Sequence, residues 1–298
     1  MTPFAPVILF VINPQSGSRS GIDWQALIRE HFRDSGHDLH FQLLDASVEA
    51  SVLEQRIEKL RPVMAVAVGG DGTVSFLARL LLGTGITLGI LPAGSANGMA
   101  RELAIPEDPA AALEVLSAGN SRLTDVIRIN KKHICLHLSD IGLNATLIKH
   151  FEEGNLRGKL GYASKIIKTL WTQKEMWVDI ATNGQPSTHR AFMVVLANAT
   201  RYGTGAVINP EGDLSDGRFE VIIIHRLAIS ELFKMLLGPR PFNPEKISVY
   251  QATSVSIRTT RKMHFQVDGE YLGRTDTIEA EILAGKLRLQ VPVGKQAD

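Results

Sequence analysis

Three glycine-rich turns, each set directly behind a short apolar run, constrain this chain more than any other feature. NPQSGS (Asn13 to Ser18) follows VILFVI, GGDGT (Gly69 to Thr73) follows VMAVAV, and PAGSAN (Pro92 to Asn97) follows ITLGIL. Between them Trp24, Leu27, Ile28, His31 and Phe32, and then Leu53, Ile57 and Leu60, recur at helical spacing, with the run LHFQLL separating the two sets. Short apolar runs alternating with helical patterns build a parallel sheet, and runs apolar on both faces are its central strands. The segment Val74 to Leu82 predicts a further helix, and Asp108, Pro109 and Gly119 supply the cap, first position and end of another. In such a sheet every loop that follows a strand lies along the carboxyl edge, so the three turns are expected to form one site.

After about Thr124 the texture changes. DVIRIN, HICLHLS, EMWVDIAT, HRAFMVVLA, FEVIII, ISVYQA, SVSIRT, MHFQV, TIEAEIL and KLRLQV read as strands separated by turn residues, the signature of an antiparallel β domain. Asn144 to Thr172 carries Leu147, Phe151, Ile166, Ile167, Leu170 and Trp171 and predicts one or two helices among the early strands. A chain of 298 residues suits two domains. We place them at 1–125 and 126–298, with the last segment returning to pack on the first.

Bulk properties narrow the partners. Lys and Arg total 32 against 31 Asp and Glu, so no long-range field draws the chain to nucleic acid, and any phosphate site must be local. The single cysteine, Cys135, cannot form an internal disulfide, and no secretory signal is visible at the amino terminus, so a reducing cytoplasm is the expected location. No apolar run approaches the ~18 residues of a membrane span, so a lipid ligand would be met by transient contact at the inner membrane surface. Arg157, Lys159, Lys165 and Lys168 stand beside Leu160, Tyr162 and Trp171, a composition shared by interfacial helices and by core helices with a solvated basic face. The histidines show no zinc-ligand spacing.

Glycine lets backbone approach a ligand closely, and free N–H groups at the helix starts behind the second and third turns suit phosphate oxygens. Asp71, inside GGDGT, would repel phosphate but can hold a Mg²⁺ that bridges phosphates. Each turn taken alone also reads as a tight turn and helix cap; three in register favour a nucleotide. No GxGxxG opens the first helix and no GxxxxGK[ST] occurs, which disfavours ordinary Rossmann oxidoreductases and P-loop enzymes.

The combination resembles the diacylglycerol kinase catalytic-domain family, which includes bacterial soluble lipid kinases and sphingosine kinases. The family's NPxSG is Asn13, Pro14, Ser16 and Gly17; its GGDGT is Gly69, Gly70, Asp71, Gly72 and Thr73; its PxGTxN is Pro92, Gly94, Ser95 and Asn97, with serine for threonine. YGTGAVINPEGDLSDG resembles the family's glycine-rich segment with an acidic DG turn, and FQVDGE the motif that holds its catalytic carboxylate. GGDGT alone is shared with NAD kinases and the phosphofructokinase-like group. The resemblance implies an α/β amino-terminal domain of that type followed by an antiparallel β-rich sandwich. It also implies an ATP- and Mg²⁺-dependent transfer to the hydroxyl of a lipid acceptor, with the three turns contacting ATP.

Glu270 is the expected base, with Asp268 the alternative. Strand alternation would aim both side chains the same way until Gly269 breaks the pattern, while Asp-Gly by itself also marks a plain hairpin. Asp213 and Asp216, with the carbonyl of Arg218, form the family's Mg²⁺ turn, which otherwise reads as a solvated Asp-rich loop. Arg19 could touch a phosphate. The sequence departs from the family at Phe76, where a glutamate is usual, and at Gly98, where many bacterial members have aspartate. An NAD kinase-like enzyme and a non-catalytic nucleotide- or lipid-binding relative remain alternatives.

Overall fold

The computed structural model describes residues 5–17, 21–44, 49–142, 175–201, 207–225 and 246–294. Arg19, the helical segment expected between Asn144 and Thr172, and the start of the YGTG segment lie outside the described residues. The chain divides into two compact units, one of Met1–Thr124 with Gly285–Asp298 and the other of Asp125–Ala284.

The first unit is an α/β domain with a parallel sheet. Strands β1 (Val7–Ile12), β2 (Asp38–Leu43), β3 (Met64–Gly69) and β4 (Thr87–Pro92) alternate with helices α1 (Trp24–His31), α2 (Ala50–Leu60), α3 (Asp71–Leu81), α4 (Gly98–Glu102) and α5 (Pro109–Ser117). The order is β2-β1-β3-β4, with every pair parallel. Arg288 and Leu289, at the far end of the last strand, add to β4, so the carboxyl-terminal segment completes this sheet. β1, β3 and β4 are buried along nearly their whole length, as unbroken apolar runs require. Asp108 caps α5 by accepting from the Ala111 amide at 2.9 Å, with Pro109 at the first helical position.

The second unit is antiparallel and β-rich. Its strands are β5 (Ser121–Ile129), β6 (His133–Cys135), β7 (Leu138–Gly142), β8 (Met176–Thr182), β9 (Gln185–Ala191), β10 (Met193–Ala197), β11 (Phe219–Ile224), β12 (Ile247–Ala252), β13 (Ser254–Val267) and β14 (Glu270–Gln290). One path runs β12-β11-β10-β7-β13-β14, while β8 and β9 join through β13, and β5 and β6 through β14. HRAFMVVLA, expected as one strand, is split between β9 and β10. SVSIRT and MHFQV are instead one strand, carrying register shifts between Arg258 and Met263 and between His264 and Gln266, and TIEAEIL and KLRLQV are joined in another. The bulged β13 thereby pairs with β8 through Val255–Thr259 and with β7 through Phe265–Val267.

The core of this unit gathers Ile127, Val178, Ile180, Val194, Leu196, Phe219, Val221, Ile257 and Phe265. Phe219 is fully enclosed, so Phe219→Ala should cost ~3–5 kcal/mol of stability, read from chemical denaturation of the purified chain.

Candidate active site

The three turns converge by backbone contact that glycine alone allows. A Cβ on Gly94 would lie 2.4 Å from the Gly70 Cα, and one on Gly17 would lie 2.5 Å from the Ala93 oxygen. A Cβ on Gly69 would strike the Thr73 Oγ1 at 2.3 Å. The sheet ladder extends into the turns, with Asn13 N–H donating to Val68 O at 3.0 Å and Ala93 N–H to Gly69 O at 2.9 Å. The Asn13 amide reaches the Thr73 Oγ1 at 3.4 Å. In the third turn Asn97 sits in the left-handed region with φ of 50° and closes a ring on Gly94, accepting from its N–H and donating to its carbonyl, both at 2.9 Å. Pro14, Gly17, Gly72 and Ser95 stay exposed, and Asn13 and Ser16 are half-buried.

Asp71 does something the sequence reading did not foresee. Its carboxylate accepts from the Gly98 and Met99 amides, both at 3.0 Å, and so ties the start of α3 to the start of α4. Those two N–H groups, expected to face phosphate, are satisfied by a side chain. The glycine at position 98 thus takes part in the site through its backbone. Phe76 is half-buried on α3.

In the second unit the VDGE segment is a two-residue hairpin. Val267 pairs with Glu270 across it, and Asp268 and Gly269 have φ of 48° and 87°, the paired positive values that a tight Asp-Gly hairpin requires. The two carboxylates point to different fates. Asp268 Oδ2 accepts from the Leu136 amide at 2.8 Å, and Oδ1 accepts from the His137 and Leu138 amides at 2.9 and 3.2 Å and from the Cys135 thiol at 3.3 Å. Asp268 is therefore an anchor, and the left-handed Gly269 interrupts the strand alternation between it and Glu270. Glu270 is exposed and has no hydrogen-bond or ionic partner among the described residues. Burial, then the neighbouring Asp268 charge and its hydrogen bond, push the Cys135 thiol well above its ordinary range.

The acidic turn is organised by its own backbone. Asp213 Oδ1 accepts from Ser215 N–H at 2.9 Å and from its hydroxyl at 2.8 Å, while Asp216 Oδ1 accepts from the Arg218 amide at 2.9 Å. The Arg218 guanidinium reaches Gln251 Oε1 at 3.0 Å. The second oxygens of the two aspartates remain available to a cation, yet no group of three or more His, Cys, Asp or Glu side chains converges among the described residues. Burial raises the Glu220 carboxyl above the usual range, and the Asp216 charge adds to the effect against hydrogen bonds from Asn209 and Gln251.

Residues 7–129 match the model of the diacylglycerol kinase catalytic domain, and residues 139–291, more than half of the chain, match that of the YegS C-terminal NAD kinase beta sandwich-like domain. The chain belongs to the diacylglycerol kinase catalytic-domain family. Among its relatives, a Bacillus subtilis protein named diacylglycerol kinase is 26% identical over 88% of this chain and 89% of its own. A Klebsiella pneumoniae protein named "Probable lipid kinase YegS-like" is 28% identical over 87% of this chain and 88% of its own. In fold, the chain is similar to a diacylglycerol kinase from Bacillus anthracis with a TM-score of 0.73 at 22% identity, covering 98% of this chain and 99% of the other. An NAD kinase from Archaeoglobus fulgidus in complex with ATP aligns with a TM-score of 0.53 at 13% identity, covering 95% and 93% of the two chains.

The family's VDGE motif makes two stability predictions in this chain. Asp268→Asn leaves at least one backbone N–H without its acceptor and should cost ~1–3 kcal/mol in thermal or urea unfolding, whereas Glu270→Gln should change stability by less than ~0.5 kcal/mol. Cys135, buried and held protonated, should resist an uncharged maleimide at mildly alkaline pH and react promptly once denaturant is added, followed by mass spectrometry.

Proposed function

We propose that this chain is a lipid kinase that moves the γ-phosphoryl group of ATP to a hydroxyl of a lipid acceptor, with Glu270 as the base. The observation that carries the reading is the division of labour in the VDGE hairpin. Four donors hold Asp268, and the hairpin it anchors presents Glu270 exposed and without a partner among the described residues.

Transfer to an alcohol needs the triphosphate fixed and the acceptor's proton removed as its oxygen attacks. Asn13, Pro14, Ser16, Gly17, Gly69, Gly70, Gly72, Thr73, Gly94, Ser95 and Asn97 are the residues we assign to ATP. The close backbone packing at Gly17, Gly69 and Gly94 and the Asn97–Gly94 ring support this reading, since turns fixed in advance would receive phosphates with little reorganisation. Asp71 orders this surface by fixing the start of α4. The acceptor oxygen forms a bond to the γ-phosphorus, the bond to the bridging oxygen of ADP breaks, and the acceptor proton passes to the Glu270 carboxylate. Magnesium, which would neutralise phosphate charge, is assigned to the remaining lone pairs of Asp71. A second ion is assigned to Asp213, Asp216 and the Arg218 carbonyl, where one oxygen of each aspartate has no partner among the described residues.

Among the described residues no helix is long and apolar enough to cross a membrane. We assign the encounter with the acceptor to the membrane surface, and diacylglycerol, a sphingoid base and a phosphatidylglycerol-like lipid all present the required hydroxyl. An NAD kinase-like activity is the second reading, favoured by the fold likeness to the ATP-bound NAD kinase.

The test is transfer of labelled γ-phosphate into a lipid panel and into NAD. Label in one lipid, with kcat lowered ~10²–10⁴-fold in Glu270→Gln at unchanged stability, is the expected result. Label in NAD alone would replace the lipid reading, and ATP binding without transfer to any acceptor would mean a non-catalytic relative.

A further inference from the structure

Behind the hairpin lies a polar chain with no role in the chemistry assigned so far. Gln266, in β13, and Asp140, in β7, are directly opposed in the antiparallel register, and each is only 1% exposed. The Gln266 amide Nε2 donates to Asp140 Oδ2, and its Oε1 accepts from the Gly269 N–H at 2.8 Å. Ser139, also buried, donates its hydroxyl to the Gln266 main-chain oxygen at 2.7 Å. A buried carboxylate is costly, and a neutral residue would suffice if the only need were to fill the strand.

The charge supplies direction. A glutamine amide can turn over and exchange its donor and acceptor ends, whereas a carboxylate can only accept. With Nε2 committed to Asp140, Oε1 must face the Gly269 N–H; the flipped amide would set oxygen against carboxylate and N–H against N–H. Among the described residues no side-chain packing could brace Gly269, since nothing lies within 4 Å of where a Cβ would stand, and its φ of 87° is a conformation that favours glycine. The Gln266 bond is therefore the contact that holds its amide. The Asp268 clamp holds the residue before it, but the Gly269 peptide leads directly into Glu270.

We infer that Asp140 and Gln266 are positioning residues that aim Glu270 through the Gly269 amide, an inference that rests on Glu270 being the base proposed above. Gln266→Glu sets two carboxylates face to face and should release the turn. The double change Asp140→Asn with Gln266→Glu reverses the polarity. The amide introduced on β7 can donate to the carboxylate introduced on β13, whose other oxygen can accept from the Gly269 N–H.

The experiment measures hydrogen exchange at the Gly269 amide and lipid phosphorylation kinetics for wild type, Gln266→Glu, the double variant and Gln266→Met, which breaks the chain without adding charge. Faster exchange and a kcat lowered ~10–100-fold at near-constant KM for ATP in both single variants, with both restored in the double variant, is the expected outcome. Unchanged exchange would overturn the tether, and faster exchange with unchanged kcat would overturn the positioning role. Failure of the folded double variant to recover either quantity would overturn the polarity argument. Exchange is read without turnover, so an inactive wild type would refute the kinase reading and the aiming of a base while the tether is judged separately.

Discussion

Carboxylates captured by backbone N–H groups hold the proposed site residues of each unit in place. Asp268 takes three successive amides and a thiol, and Asp71 takes the first two amides of α4. Charge-assisted bonds to backbone donors are stronger than neutral ones, and each here links segments distant in sequence. Asp268 clamps the β13–β14 hairpin onto residues 136–138, adding to the pairing of β13 with β7. Asp71 adds a tie between the start of α3 and the start of α4 to the backbone contacts that already join the second and third turns.

The two carboxylates work with two different backbone constraints. In the first unit the turns are brought together by absence of side chains, since Gly17 and Gly94 approach their neighbours within distances that a Cβ would forbid. In the function proposed above, packing of that kind would present the backbone of the turns without ordering loops at each cycle. In the second unit the constraint is the left-handed pair Asp268–Gly269, which turns the chain in two residues. The same local geometry thus separates an anchoring acid from one that has no partner among the described residues.

Most of the architecture was legible because it rests on periodicity. Apolar runs, helical spacing and the Asp108–Pro109 start are local signals, and the parallel and antiparallel units follow from them. Strand continuity was not, because the bulges that let β13 span two partners are set by pairing across the sheet. The turn residues were legible as motifs, but the partner of each carboxylate was not. Asp71 and Gly98 are far apart in sequence, as are Asp268 and Leu136. The polar pair Asp140 and Gln266 had one available signal, a charged and an amide side chain inside otherwise apolar strands.

The sequence by itself determined the elements, the glycine positions and the family, since propensity, periodicity and motif order are properties of neighbouring residues. Only the tertiary structure decided which acid is bound and which has no partner among the described residues. A carboxylate's role depends on the donors that folding brings within about 3 Å of it, and those donors come from segments with which it shares no sequence signal.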